Sequence, residues 1–319
     1  MDTRHLVDPE VAPLLDIFPK LELKKETLAQ TRTALAGLFD PTTAPAFPDI
    51  EVTERNVPGH SDSPDVRVLV YIPKNSPRPL AGLLWIHGGG YVLGTADGDD
   101  LSVKNLVTQV GCAVVSVDYR LAPETPFPGP VEDCYAALKW LHSNAAELGV
   151  DPKRLAIGGA SAGGGLAAGL GLLTRDRAEV PLTFQLLIYP MLDDRTAVTP
   201  DPHPHTGEFI WTTNANHFGW SSLLGQEPGS KGVSPYAAAA RAEKLEGLPP
   251  TYVSVGSLDL FLEEDLEYAR RLIRAGVATE LHVYPGGYHG FNMWSEAQIS
   301  KAFDRDQLAA LRRALQSNP

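Results

Sequence analysis

Cysteine is nearly absent from this chain: Cys112 and Cys134 are the only two in 319 residues. Two isolated thiols cannot build a disulfide scaffold or a paired-cysteine zinc site, so an apolar core must hold the fold. They fall in a predicted strand and a predicted helix and read as small buried residues of a reducing compartment, which makes the cytoplasm the expected location. The start, Met1–Asp8, lacks the basic and apolar pattern of a signal peptide, and no apolar run is as long as a membrane span. Positive charge is also short, with 27 Lys and Arg against 39 Asp and Glu and a net charge of −12. That surplus repels nucleic-acid phosphates and anionic lipid, so neither nucleic acid nor membrane is an expected partner. No internal repeat or low-complexity tract is present. What remains is 43% hydrophobic and 21% charged, a globular composition with room for one α/β domain and a lid, or for two domains.

Strand patterns begin at Ile50. Residues Ile50–Val57 and Val66–Ile72 alternate like an antiparallel hairpin at a sheet edge. Continuous apolar runs follow at Gly82–His87, Cys112–Val117, Leu155–Ile157, Thr183–Tyr189, Thr251–Gly256 and Glu280–Tyr284. Between them lie helical patterns at Val131–Gly149, Ala162–Thr174, Glu263–Ala275 and Asp304–Gln316. Strands alternating with helices predict a mostly parallel central sheet flanked by helices. Two segments fall outside that frame. Residues 1–48 carry helical patterns at Pro9–Phe18 and Lys24–Leu38, ended by Pro41, Pro45 and Pro48. Residues 190–235 are rich in proline and glycine around one short helix, Thr213–Leu224, and are longer than a connection needs. The catalytic domain is expected to comprise residues 49–189 and 236–319.

A glycine-rich corner, Gly159-Ala160-Ser161-Ala162-Gly163, joins the Leu155–Ile157 strand to the next helix. It fits the G-x-S-x-G nucleophile elbow, in which small residues flank a serine on a sharp strand-to-helix turn. A serine hydroxyl needs a base, and the base needs an orienting group. Asp259 follows one strand and His289 follows the last, so both fall where parallel strands end in loops. Glu263, Glu264 and Asp265 compete with Asp259 but read as the acidic first turn of a helix. His282 is expected to point outward from its strand, and His203 and His205 to be solvated, so no metal site is expected. An oxyanion needs backbone donors. Ala162, just after the serine, supplies one, and His87-Gly88-Gly89-Gly90 supplies the rest, with Gly89 and Gly90 preferred over Gly88. His87 reads as orienting that loop. The triple glycine ends a strand 74 residues before Ser161.

These motifs, with Asp118-Tyr119-Arg120-Leu121-Ala122-Pro123-Glu124, Phe127-Pro128 and His289-Gly290-Phe291, resemble the hormone-sensitive lipase-like esterases of the α/β-hydrolase fold. The resemblance spans residues 65–310. It implies Ser161, Asp259 and His289 as a triad, and a helical cap from residues 1–48 and 190–235. It also implies hydrolysis of short- to medium-chain acyl esters through an acyl-enzyme without a cofactor, and pairing into a homodimer through the last strand and its neighbouring helix. Many relatives carry an acidic residue where this chain has Ala160. Trp211, Phe209, Trp220 and Met191 are candidates for the substrate pocket. Amides, carbamates and lactones would suit the same triad. A non-catalytic receptor on this fold is disfavoured by the presence of His289, and a dinucleotide site by the position of Gly163–Ala168 inside a helix.

Overall fold

The computed structural model describes residues 2–19, 21–36, 45–61 and 63–316. In chain order its elements are α1 (Leu14–Ile17), α2 (Leu28–Ala36), β1 (Ile50–Val57), β2 (Val66–Pro73), β3 (Leu80–Ile86), α3 (Asp100–Val110) and β4 (Ala113–Asp118). There follow α4 (Gly129–Ser143), α5 (Ala145–Leu148), β5 (Val150–Ala160), α6 (Ala162–Arg177), β6 (Phe184–Ile188) and α7 (Thr213–Leu224). The chain closes with β7 (Thr251–Gly256), α8 (Leu262–Arg274), β8 (Thr279–Tyr284) and α9 (Gln298–Gln316). The strands form one sheet in the order β1-β2-β4-β3-β5-β6-β7-β8. The hairpin β1–β2 is antiparallel and β2 also runs antiparallel to β4, whereas β4, β3, β5, β6, β7 and β8 are mutually parallel. Parallel strands end at one edge, and the segments that follow β3, β5, β7 and β8 therefore meet there.

The period-two alternation of strand side chains sorts the core into two layers. Leu83 and Trp85 of β3 pack with α3 and α9, whereas Leu84 and Ile86 pack with α4 and α6. Buried on both faces, the parallel strands need no polar side, which is why they read as continuous apolar runs. Val131, Tyr135, Leu138 and Leu141 form the buried face of α4 as their spacing predicts.

Several boundaries differ from expectation. Residues 9–13 form turns, and within the expected Pro9–Phe18 helix only Leu14–Ile17 is helical, because Pro13 lacks an N–H and disfavours a helical Ala12 before it. The second N-terminal helix starts at Leu28 rather than Lys24, and its expected end at Leu38, like Pro41, lies outside the described residues. The Val131–Gly149 pattern divides at Asn144 into α4 and α5. Helix α3 was not foreseen, although Val103, Leu106, Val107 and Val110 form its buried stripe. His282 is half-buried rather than outward: β8 is the sheet's edge, and the imidazole stacks on Tyr252 at 5.4 Å and approaches Asp306 of α9. Cys112 and Cys134 are buried and unpaired.

The Asp118–Glu124 motif is framework. Asp118 accepts the Ala96 N–H at 3.0 Å, and Tyr119 stacks on the His87 ring at 4.2 Å while donating to its carbonyl. Arg120 donates Nε and Nη2 to Asp133, which is fully buried in α4 and also accepts the Arg120 N–H. Removing Asp133 takes the acceptor from the Arg120 N–H and from a guanidinium that is two-thirds buried. Asp133→Ala should therefore lower unfolding free energy by about 3 kcal/mol in urea titrations; a loss within experimental error would show that the pair contributes nothing net.

Candidate active site

Ser161 stands between β5 and α6 at φ +58° and ψ −122°, a conformation that residues with a Cβ rarely adopt. Its N–H donates to Ile188 O at 2.9 Å, and its carbonyl accepts the N–H groups of Gly165 and Met191. That bonding spans both neighbouring elements and stabilises the strained turn. A Cβ at Gly159 would lie 2.5 Å from the Gly163 backbone, and one at Gly163 would lie 2.0 Å from Ile86 O. Two glycines are therefore required by close backbone approach. Ala160 places its methyl against the core cluster under α3 and α9 and supplies no acceptor.

The imidazole of His289 reaches Ser161 Oγ from Nε2 at 2.9 Å and Asp259 Oδ2 from Nδ1 at 2.8 Å. Asp259 begins the turn after β7, where its other oxygen accepts the Phe261 N–H at 3.0 Å. With Nδ1–H donating to the carboxylate, Nε2 is left to accept the hydroxyl proton. All three side chains are largely enclosed, Ser161 and His289 at 6% exposure and Asp259 at 1%. Three further rings frame the imidazole: Tyr189 at 4.8 Å, Phe261 at 5.2 Å and Trp211 at 6.4 Å between centroids. Tyr189 and Phe261 escaped the sequence reading. The available signal was position, since each closely follows the end of a parallel strand.

The glycine loop lies alongside. A Cβ on Gly88 would approach Ala160 O to 3.0 Å and Ser161 Cβ to 3.5 Å, so this loop touches the elbow. The N–H groups of Gly89, Gly90 and Ala162 donate to no acceptor among the described residues. His87 donates Nδ1–H to Gly88 O at 2.8 Å, and burial pushes its imidazole below the usual pKa, so it stays neutral. Of the pocket candidates, Trp211 contacts Gly90, and Phe209 packs on Tyr288 at 5.9 Å. Trp220 packs on Tyr91 at 5.2 Å, and Met191 is fully buried. A separate groove of about 930 Å³ runs between α8 and the segment after β6, lined by Asp193, Arg195, His203, Glu263 and Tyr268; neither Ser161 nor His289 opens into it.

The three competing acids do form the first turn of α8, and two of them are buried there. Glu264 is buried and accepts the N–H groups of Leu192 (2.6 Å) and Asp193 (3.1 Å), as well as the Thr196 hydroxyl. It pins the segment that leaves β6. Asp265 is fully buried, and neither carboxyl oxygen has a hydrogen-bond partner among the described residues. Burial, then the nearby Glu264 and Asp259 charges, push its pKa well above the ordinary value. A carboxyl that keeps its proton longer when folded stabilises the fold at low pH, and the contribution is lost as pH rises through the raised folded value. Asp265→Asn should therefore flatten the decline of melting temperature as pH rises above the ordinary carboxylate range, while Glu264, also raised by burial, preserves part of it. An unaltered slope would remove Asp265 as its source.

Sheet, elbow and the Ser161–His289–Asp259 chain define an α/β-hydrolase. A family model described by the alpha/beta hydrolase fold matches residues 83–293, and the chain belongs to that family, in its hormone-sensitive lipase-like branch. The carboxylesterase NlhH of Mycobacterium tuberculosis is 34% identical over 310 residues, spanning 97% of this chain and 96% of its own. An arylesterase of Saccharolobus solfataricus is 31% identical over 290 residues, 89% of this chain and 92% of its own. Among solved structures, a bacterial heroin esterase superposes with a TM-score of 0.93 and 41% identity, covering 99% of this chain and 100% of that one.

Proposed function

We propose that this carboxylesterase uses Ser161 as nucleophile, His289 as general base and acid, and Asp259 to orient the imidazole. The observation that carries the reading is the hydrogen-bonded chain of 2.9 Å and 2.8 Å through His289. Ser161 Oγ bonds to the ester carbonyl carbon while its proton passes to His289 Nε2. The carbonyl oxygen takes up negative charge, which the N–H groups of Gly89, Gly90 and Ala162 stabilise, aided by the α6 N-terminus. Collapse breaks the bond to the alcohol oxygen, which leaves with the proton from His289. Water then attacks the acyl-enzyme by the same route, releasing the acid and returning the proton to Ser161. No step needs a metal or cofactor.

Ser161→Ala should lower kcat/KM for a nitrophenyl ester by about four to six orders of magnitude. Asp259→Asn should be severely impaired as well, with Glu263→Gln mild. Near-normal turnover by Ser161→Ala, or the opposite ranking of the two acids, would refute the assignment.

The cap reading assigns residues 1–48 and 190–235 to the cover of this site. It is supported by the link from Thr3 to Glu208, where one carboxylate oxygen accepts both the Thr3 N–H at 2.8 Å and its hydroxyl at 2.6 Å. Pairing of two copies through β8 and α8 is supported by the apolar side chains that Leu266, Ile273 and Val283 expose there. Two buried, unpaired thiols suit a cytoplasmic location. The substrates are short- to medium-chain esters. Trp211 supports that limit, because a Cβ at Gly90 would fall 2.0 Å from its indole, which fills the space beside the oxyanion loop. Across nitrophenyl esters from acetate to laurate, kcat/KM should peak at short chains. Trp211→Ala should raise the laurate-to-butyrate ratio about tenfold, since a few methylenes gain room. An unchanged ratio would place the limit elsewhere.

A further inference from the structure

Three consecutive residues of the glycine loop hold positive φ: Gly89 at +114°, Gly90 at +59° and Tyr91 at +68°. Tyr91 carries a Cβ, so this backbone persists only if its surroundings over-determine it. Four sets of bonds do so. Gly89 O accepts the Val92 and Leu93 N–H groups at 3.1 and 2.8 Å, and Tyr91 O accepts the Ala122 N–H at 3.0 Å. The Tyr91 hydroxyl donates to Met191 O at 2.9 Å. The fourth comes from the N-terminal helix α2: Arg32 donates Nε–H to Val92 O at 2.8 Å and Nη2–H to Ala122 O at 2.9 Å. The same guanidinium holds Glu124 in a two-pronged pair, Nη1 to Oε1 at 2.8 Å and Nη2 to Oε2 at 2.9 Å. The bond from Arg32 holds the Glu124 carboxyl below its usual pKa. Leu28, one turn earlier on α2, is buried with Val92, Leu93 and Ala122.

We propose that Arg32 is a positioning residue for the esterase reaction, clamping the Val92 and Ala122 carbonyls so that the Gly89 and Gly90 N–H groups stay aimed beside Ser161. This rests on the reading of those two glycines as oxyanion donors. A planar fork of N–H groups matches two carbonyls and a carboxylate at once, which a lysine ammonium cannot reproduce. Arg32 touches no reacting atom and acts two residues away, through Val92 O. Loosening it misplaces donors whose hydrogen bonds matter most when charge forms on the substrate oxygen. The loss therefore falls on kcat rather than on KM.

The test uses the full chain with Arg32→Lys, Arg32→Ala and Glu124→Gln, alongside Ser161→Ala, assayed on nitrophenyl butyrate. Both Arg32 variants should lose about tenfold or more in kcat with KM within about twofold, the scale expected of a misplaced catalytic group. Affinity for a trifluoromethyl ketone, whose adduct carries the oxyanion, should fall in parallel. The pH profile of kcat/KM should stay in place, because His289 and Asp259 are untouched. Glu124→Gln keeps the carbonyl bonds and should lose only about threefold. It decides the matter if the Arg32 variants do not fold. Unchanged kcat and ketone affinity, or losses matched by a fall in folded fraction, would overturn the clamp. Activity retained in Ser161→Ala would instead overturn the nucleophile reading. An inactive Ser161→Ala beside fully active Arg32 variants would sink the clamp alone.

Discussion

At the end of β3 the backbone of α6 passes so close that a methyl group at Gly163 would lie 2.0 Å from Ile86 O and 2.5 Å from His87 O. Everything in the candidate site depends on that approach. It brings the elbow against the strand that feeds the glycine loop, so the serine and the candidate oxyanion donors share one wall. The ladder between β3 and β5, with Ile86 opposite Gly159, holds the two in register. A substitution that inserted a side chain there would separate Ser161 from the glycine loop before it altered either. Close backbone packing and the ladder together set the precision of the site.

Around that contact the chain surrounds the site with buried acids. Asp133 fixes Arg120, Asp194 accepts from Arg241 and from the Gly229 N–H, and Glu264 holds the backbone of Leu192 and Asp193. Each ties an irregular segment to a helix or its flank, at places where backbone N–H groups would otherwise be left without partners. The net charge of −12 is thus not only a surface property. Asp265 differs because it satisfies nothing. Burial favours its neutral form, and it is Asp259, not Asp265, whose oxygen reaches the His289 imidazole.

The parallel strands and the elbow were legible because each carries a local physical demand. Strands buried on both faces must be continuously apolar, and the turn at Ser161 must be flanked by small residues. The pairing of Asp259 with His289 was legible because parallel strands end together, so order along the chain becomes proximity in space. Other features had no local signal. The burial of Glu264 depends on the path of the segment after β6, and the position of Tyr189 against His289 on the end of a strand whose apolar pattern says nothing of the ring's neighbour. The Pro9–Phe18 pattern misled because apolar spacing at helical period survives in turns when packing needs it, while Pro13 decides the backbone. Helix α3 carries a plain helical stripe in Val103, Leu106, Val107 and Val110, and is legible at that period.

The N-terminal segment gains its significance from the same reasoning. Among its described residues the segment 3–36 holds two short α-helices, α1 and α2. Thr3 is bonded to Glu208, Asp8 donates its N–H to Gly286 O at 3.1 Å, and Val11 O accepts the Tyr288 hydroxyl at 2.7 Å. These contacts flank the His289 loop, and Arg32 grips the loop after the glycines. The segment thus touches both loops beside Ser161, that of His289 on one side and that of Gly89 and Gly90 on the other. A short helix of weak intrinsic stability is well suited to that place. Its order depends on the loops it contacts, and their geometry depends in turn on it.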